Sequence, residues 1–201
     1  MLQIKKTKIE LKSRRDALRR FERFLPMLQL KKQQLRMEMQ SVLHAMEKNR
    51  GEGAALLDAA RSWTALFPEA ESRLASLVVV ERVHLSDANI AGVTIPVCES
   101  VDFHNPELDL FETAPWLDEA QELIMKLVVL RIQRAFLERQ HELLAEEFRT
   151  TSQRVNLFEK VKIPESREII RVIKIFLGDQ MTAEVARGKS AKKMSRKGDA
   201  A

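Results

Sequence analysis

The stretch Trp116 to Arg187 reads WLDEAQELIMKLVVLRIQRAFLERQHELLAEEFRTTSQRVNLFEKVKIPESREIIRVIKIFLGDQMTAEVAR. Leu123, Leu130, Leu137 and Leu144 recur every seven residues, and Thr151, Phe158 and Val172 follow in the same row. With that row as d, row a holds Ala120, Leu127, Phe148, Val155, Ile169, Phe176 and Ala183. A seven-residue apolar repeat underwinds a helix so that one seam keeps facing a partner, the basis of a left-handed coiled coil. At 1.5 Å per residue, such a helix is on the order of 100 Å long.

The first residues of the chain carry a matching seam. Row a reads Ile4, Leu11, Leu18, Leu25, Lys32, Met39 and Met46; row d reads Thr7, Arg14, Phe21, Leu28, Leu35, Val42 and Asn49. Two complementary seams at opposite ends of one chain predict an antiparallel two-helix hairpin. The alternative, a seam that meets another copy of the chain, stays open at this level. Partners across the hairpin are expected at residue numbers adding to about 190, which would bring Pro26 level with Pro164 and bend the pair there. Arg14, Lys32, Arg134, His141 and Lys162 interrupt the seams, where they cost stability unless they snorkel or pair.

The region between the seams differs in period. Val83 and Leu85, then Val93, Ile95 and Val97, then Val101 and Phe103 alternate as in strands, with Asn89 and Gly92 available for a turn. Pro96 confines its strand to a sheet edge. The predicted order is therefore an N-terminal helix within 1–77, weakened at Pro26 and at Gly51–Gly53, with a helical piece over 61–77. A β-hairpin and acidic loop follow over 78–115, then a long helix over 116–187 and a disordered basic tail over 188–201. The fold class is all-α dominated, with a small β-hairpin in the middle.

Composition agrees with an extended helical chain: 201 residues, 5% aromatic, no tyrosine and 31% charged, because paired long helices have much surface to solvate. The net charge of +5 is unevenly spread. Residues 1–36 hold twelve Lys or Arg against three acids, whereas residues 81–122 hold ten acids against Arg82 alone. In a hairpin the two basic ends meet and the acidic region lies away from them, a field that would orient the molecule on its partners. The plain reading of the same charges is solvated helix faces and an ordinary tail. The basic ends permit weak polyanion binding, but no nucleic-acid partner is expected, and no apolar run is long enough for membrane insertion. The single Cys98 forms no internal disulfide, which fits a reducing cytoplasm.

Sites of chemistry are not evident. Gly51-Glu52-Gly53 lacks the Lys-Ser/Thr and preceding strand of a phosphate loop. His84, Cys98 and His104 match no zinc spacing, and nothing sets a nucleophile beside a base. No cofactor, metal or catalytic residue is expected, and the chain reads as a non-enzyme.

Three segments carry a resemblance. Thr150 to Glu159, centred on Arg154-Val155-Asn156-Leu157-Phe158-Glu159, is followed by Ile163-Pro164 and by Ile169-Ile170-Arg171-Val172-Ile173. This resembles the C-terminal signature of the D subunit of V-type and archaeal-type rotary ATPases, Arg-Val-Asn-Ala-Leu-Glu with a later Ile-Pro. Leu28-Gln29-Leu30-Lys31-Lys32-Gln33-Gln34-Leu35 is similar to that family's Leu-Lys-Leu-Lys-Arg-Asp-Ala-Leu. Asn89-Ile90-Ala91-Gly92-Val93-Thr94-Ile95-Pro96 is similar to its Asn-Ile-Met-Gly-Val-x-Val-Pro. Gln33 stands where the family carries an acid, Lys32 where it carries arginine and Leu157 where it carries alanine.

The resemblance implies a central rotor shaft whose terminal helices enter a hexamer of A and B subunits. The small F subunit would bind its side, and a membrane-side coupling protein would seat its lower end, leaving the chain cytoplasmic and peripheral to the membrane. It further implies that the shaft binds no nucleotide and couples rotation to ATP synthesis or hydrolysis and to proton or sodium transport. The alternative is a coiled-coil adaptor or chaperone-like interaction protein that pairs as a homodimer. Leu28, Lys31, Lys32, Arg154, Asn156, Ile163 and Pro164 are the candidate partner-binding residues. Leu11, Leu18, Leu25, Leu28, Leu35, Val42, Leu123, Leu127, Leu130, Leu137, Leu144, Phe148, Val155 and Phe158 are the candidate seam. Reversing the acids Glu107, Asp109, Glu112, Asp118 and Glu119 is expected to weaken the membrane-side contact.

Overall fold

The computed structural model describes residues 5–61, 78–104 and 117–198, with side chains through Met194. Helix α1 spans Lys8–Ala60, the hairpin strands are β1 (Val79–Ile90) and β2 (Val93–His104), and helix α2 spans Leu117–Leu157. A π-helical turn at Phe158–Lys162 leads directly into helix α3, Ile163–Gly198. The helical piece expected over 61–77 and the acidic loop before α2 lie outside the described residues.

Helix α1 begins where the sequence offers an N-cap. Thr7 accepts a hydrogen bond from the Glu10 amide through Oγ1 at 3.2 Å, satisfying one of the amides that a helix start leaves without a partner. From there α1 runs unbroken through Pro26, Gly51 and Gly53. The expected weak points do not interrupt it. Pro26 itself is exposed, and the seam keeps its phase across it, with Leu18, Phe21 and Leu25 half-buried before it and Leu28, Lys32 and Leu35 inward after it. At Gly53 the helix passes beside Leu130, whose Cδ1 would lie 4.0 Å from an added Cβ, an ordinary packing distance. Ala54, Ala55, Leu56 and Leu57 then favour continuation of the helix.

The long C-terminal helix is different. Up to Phe158 the apolar residues of the predicted rows are buried or half-buried, with Ala120, Leu144 and Val155 buried along with Thr151, while Leu117, Gln121 and Gln140 are buried outside those rows. Beyond the π turn Ile163, Ser166, Ile170 and Ile173 are buried, each one position later than the strict repeat. Ile169, which the repeat places in row a, is buried beside Ile170. The turn inserts one residue. Pro164 supplies a cause: it has no N–H to donate, and its ring collides with the carbonyl four residues back in an α-helix. Instead, Ile163 donates to the carbonyl of Phe158, a five-residue closure that widens the turn just ahead of the ring. Each isoleucine kept inward contributes about 1.5–3 kcal/mol, against about 1 kcal/mol for a hydrogen bond forgone. The seam therefore outweighs the break, and Lys162 and Glu165 give up the inward rows to Ile163 and Ser166.

Helix α3 also continues to Gly198, beyond the expected start of a disordered tail at 188. Ala, Lys, Arg and Met in this stretch are strong helix formers that outweigh Gly188, Ser190 and Ser195, and no proline breaks the run.

The chain divides into two compact units, residues 1–30 with 151–201, and residues 31–150. In the first, Phe21 and Phe158 pack with ring centroids 5.1 Å apart, Lys6 Nζ lies 5.0 Å from the Phe176 ring, and Arg167 donates to Glu22 at 2.8 Å. In the second, Lys31 pairs with Glu147, and Asn49 Nδ2 donates to the Leu130 carbonyl at 3.1 Å. The helical segments run antiparallel in each. Most of these partners carry numbers adding to about 180 rather than 190. Pro26 is thus level with residues near Arg154, about ten residues or roughly 15 Å from Pro164. The two prolines do not form one bend.

Within residues 31–150, β1 and β2 pair antiparallel through a two-residue turn, Ala91-Gly92, with φ of 52° and 81°. Positive φ at both positions matches the right-handed twist of the strands. Asn89 Oδ1 accepts from the Gly92 amide at 3.0 Å and closes the turn. One face of the hairpin contributes Ala88, Ile90, Ala91, Val93 and buried Ile95 to a core with Leu35, Val42 and Leu144. Met39, Met46, Leu137, Leu143 and Phe148 complete it.

Candidate functional site

Two of the three family-like segments meet in that core. Leu35 closes the segment that begins at Leu28, Ile95 belongs to the one that begins at Asn89, and α2 brings Leu144 between them. Above the apolar contact, Lys31 Nζ donates to Glu147 Oε1 at 2.6 Å, with both side chains about one-third exposed. The same Nζ would lie 3.9 Å from a Cβ on Gly92, so the ion pair sits beside the hairpin turn. Buried Gln140 on α2 donates through Nε2 to the carbonyl of Pro96 on β2 at 2.7 Å. The proline has no amide to offer, but its carbonyl fixes β2 to α2. A cleft of about 300 Å³ opens beside this bond, lined by Asn49, Val97, Cys98, Gln133, Leu137 and Gln140.

The candidate residues are not gathered at one place. Lys31 is held by Glu147, and Lys32 Nζ lies 5.9 Å from the Phe148 ring, a cation over an aromatic face at the limit of such contacts. Leu28 is half-buried in the seam. In the other unit, Val155 is buried while Arg154 and Asn156 beside it are exposed. Ile163 is buried and Pro164 exposed. Each candidate seam residue is buried or half-buried. The outward surface near the π turn is mixed: Leu157 and Val161 are exposed alongside Arg154 and Lys160. On α3, Arg171 hydrogen-bonds Glu168 at 2.6 Å and holds its carboxyl below the usual range.

Gln140, Glu147 and the π turn go beyond what the sequence reading picks out. Gln140 and Glu147 are ordinary polar residues outside the a and d rows, and only the fold shows what they face. For the π turn a signal is present: Ile163, Ile170 and Ile173 are out of phase with the leucine row, and Pro164 stands at the change. His84 Nε2 lies 2.7 Å from Asp102 Oδ2 on the hairpin, and His104 is at its open end opposite Val79. Among the described residues no three His, Cys, Asp or Glu side chains are grouped to hold a metal. None of the described helices is long and apolar enough to cross a membrane. The arrangement presents helix faces and a fixed hairpin, features suited to contact with other proteins.

The sequence profile of the ATP synthase D-subunit family matches residues 10–193. The V-type ATP synthase D subunit of Borreliella burgdorferi is 42% identical over 192 residues, covering 96% of this chain and 95% of that protein. The protein of the same description from Chlamydia trachomatis serovar L2 is 33% identical over 193 residues, covering 95% of each. That of Chlamydia pneumoniae is 30% identical over 194 residues, covering 96% of this chain and 93% of that protein.

Proposed function

The chain belongs to the ATP synthase D-subunit family, and from that premise we propose that it is the central shaft of a V-type rotary ATPase. The shaft transmits torque between a hexamer of A and B subunits and a membrane ring, without a catalytic site of its own. The observation that carries this reading is the antiparallel pairing of N- and C-terminal helical segments in both units, over most of the family-matched length. A pair of helices wound on each other resists bending and twist better than one. Polar residues dominate the outward positions, which suits a surface that must turn against its bearing without locking into it.

The F subunit is the expected companion on the side of the shaft, and a membrane-side coupling protein the expected seat. Arg154, Asn156 and Pro164 are the exposed candidates for contact in one unit. In the other, Lys31 pairs with Glu147 beside the hairpin turn. Of the acids assigned to the seat, Asp118 and Glu119 are exposed at the start of α2, and the rest lie outside the described residues.

The test is co-expression with the A, B and F subunits from the same source. One copy per hexamer, with an altered ATPase rate relative to the hexamer alone, is the expected result. A chain that remains apart from A, B and F as a stable homodimer would overturn the reading and favour a coiled-coil adaptor.

A further inference from the structure

We propose that the π turn at Phe158–Lys162 is a built-in joint, the point in the α2–α3 run that yields first to bending and twist. Three observations on this segment converge. First, its backbone is under-bonded. Ile163 gives its N–H to Phe158 and Pro164 has none, so neither the α-helical nor the π-helical donor reaches the Glu159 carbonyl. Second, none of the five residues of the turn is buried, whereas Val155 before it and Ile163 after it are 4% and 7% exposed. Phe158, which opens the turn, packs on Phe21, so the flanks are clamped up to it and residues 159–162 between them are not. Third, the seams on its two sides are out of phase by one residue, with Thr151 and Val155 on one side and Ile163, Ser166, Ile170 and Ile173 on the other. Drawing the later flank into the earlier register would turn Lys162 and Glu165 inward, and the reverse would turn Asn156 and Glu159 inward. Deformation is therefore confined between two fixed seams.

Pro26 provides the internal contrast. It too removes a donor, but the seam runs through it in phase and the helix remains α throughout. A missing amide alone is not enough to make the joint; the inserted residue is the distinguishing element.

The consequence for torque rests on the shaft reading, but the joint itself is a property of the chain. Amide hydrogen exchange on the full-length protein, read by mass spectrometry, separates the two. Peptides covering 159–165 are expected to exchange at least tenfold faster than those covering 151–157 and 166–173. Uniform exchange across 151–173 would overturn the proposal. Deleting Val161 together with Pro164→Ala restores an unbroken seven-residue phase with Ile163, Ser166, Ile170 and Ile173 still inward. In this variant the fast exchange should fall to the rate of the flanks. Pro164→Ala alone retains the inserted residue and should keep exchange at 159–162 at least threefold above the flanks. Fast exchange that persists in the double variant, or that vanishes in Pro164→Ala alone, would remove the inserted residue as its source. Failure to assemble with A and B would leave the exchange result standing, and uniform exchange would leave assembly standing.

Discussion

Gly92 occupies the one backbone conformation in the hairpin that a side chain resists most, at φ 81°. Gly92→Ala meets no steric obstacle beyond Lys31 Nζ at 3.9 Å, so its cost is the left-handed conformation itself, about 1–2 kcal/mol. A urea titration should show that loss in the midpoint. Ala91, at φ 52°, already bears some of the same penalty, which its contact with the Leu35–Ile95 core helps to offset. Cys98 illustrates a different local effect. Burial pushes its thiol above the usual range, so less thiolate is present near pH 8. Alkylation by iodoacetamide at pH 8 should be slower than for free glutathione, and the difference should shrink as the pH rises.

At the scale of elements, the two helix-interior prolines have different consequences. Pro26 is exposed and leaves the phase of α1 intact, so Pro26→Ala restores a donor to the Glu22 carbonyl without repacking. Interior proline costs about 3 kcal/mol, partly returned by its stiffening of the unfolded chain, and a net gain of about 2 kcal/mol is expected. A thermal melt that does not rise would contradict this account. The hairpin is held chiefly by Ile95, 3% exposed, against Leu35, Val42 and Leu144. Ile95→Ala should destabilise by about 2–4 kcal/mol, because the cavity lies between two strands and two helical segments that close on it poorly. The Lys31–Glu147 pair is a smaller contribution. With each partner about one-third exposed, its removal should cost less than about 1 kcal/mol.

For the whole molecule, the seam residues of both ends find their partners inside the same chain, Phe21 with Phe158 in one unit and Leu35 with Leu144 in the other. The isolated protein is therefore expected to sediment as a monomer of 23.1 kDa. A concentration-independent dimer in sedimentation equilibrium would mean that the seams also pair between copies. The net charge of +5, with its basic N-terminal stretch, should allow polyanion binding at low salt that disappears near 0.15 M, as release of counterions requires.

Much of this organisation was legible in the residues. The leucine row and its N-terminal counterpart identified two long helices because a seam along a helix repeats locally, whatever the partner. The alternation from Val83 to Phe103, with Asn89 and Gly92 between, identified the hairpin because a strand's two faces are written in neighbouring residues. The continuous α1 was not legible, since proline and glycine weaken a helix locally while the packing that outweighs them comes from distant residues such as Leu130. The tertiary structure alone set the antiparallel offset near 180, paired Lys31 with Glu147, and bound Gln140 to the Pro96 carbonyl. Each joins residues far apart in the chain, which no local period records. The π turn lies between these cases: Pro164 and the shifted isoleucines mark it in the sequence, but only burial on both sides of the turn decided that the helix would insert a residue rather than bring Lys162 inward.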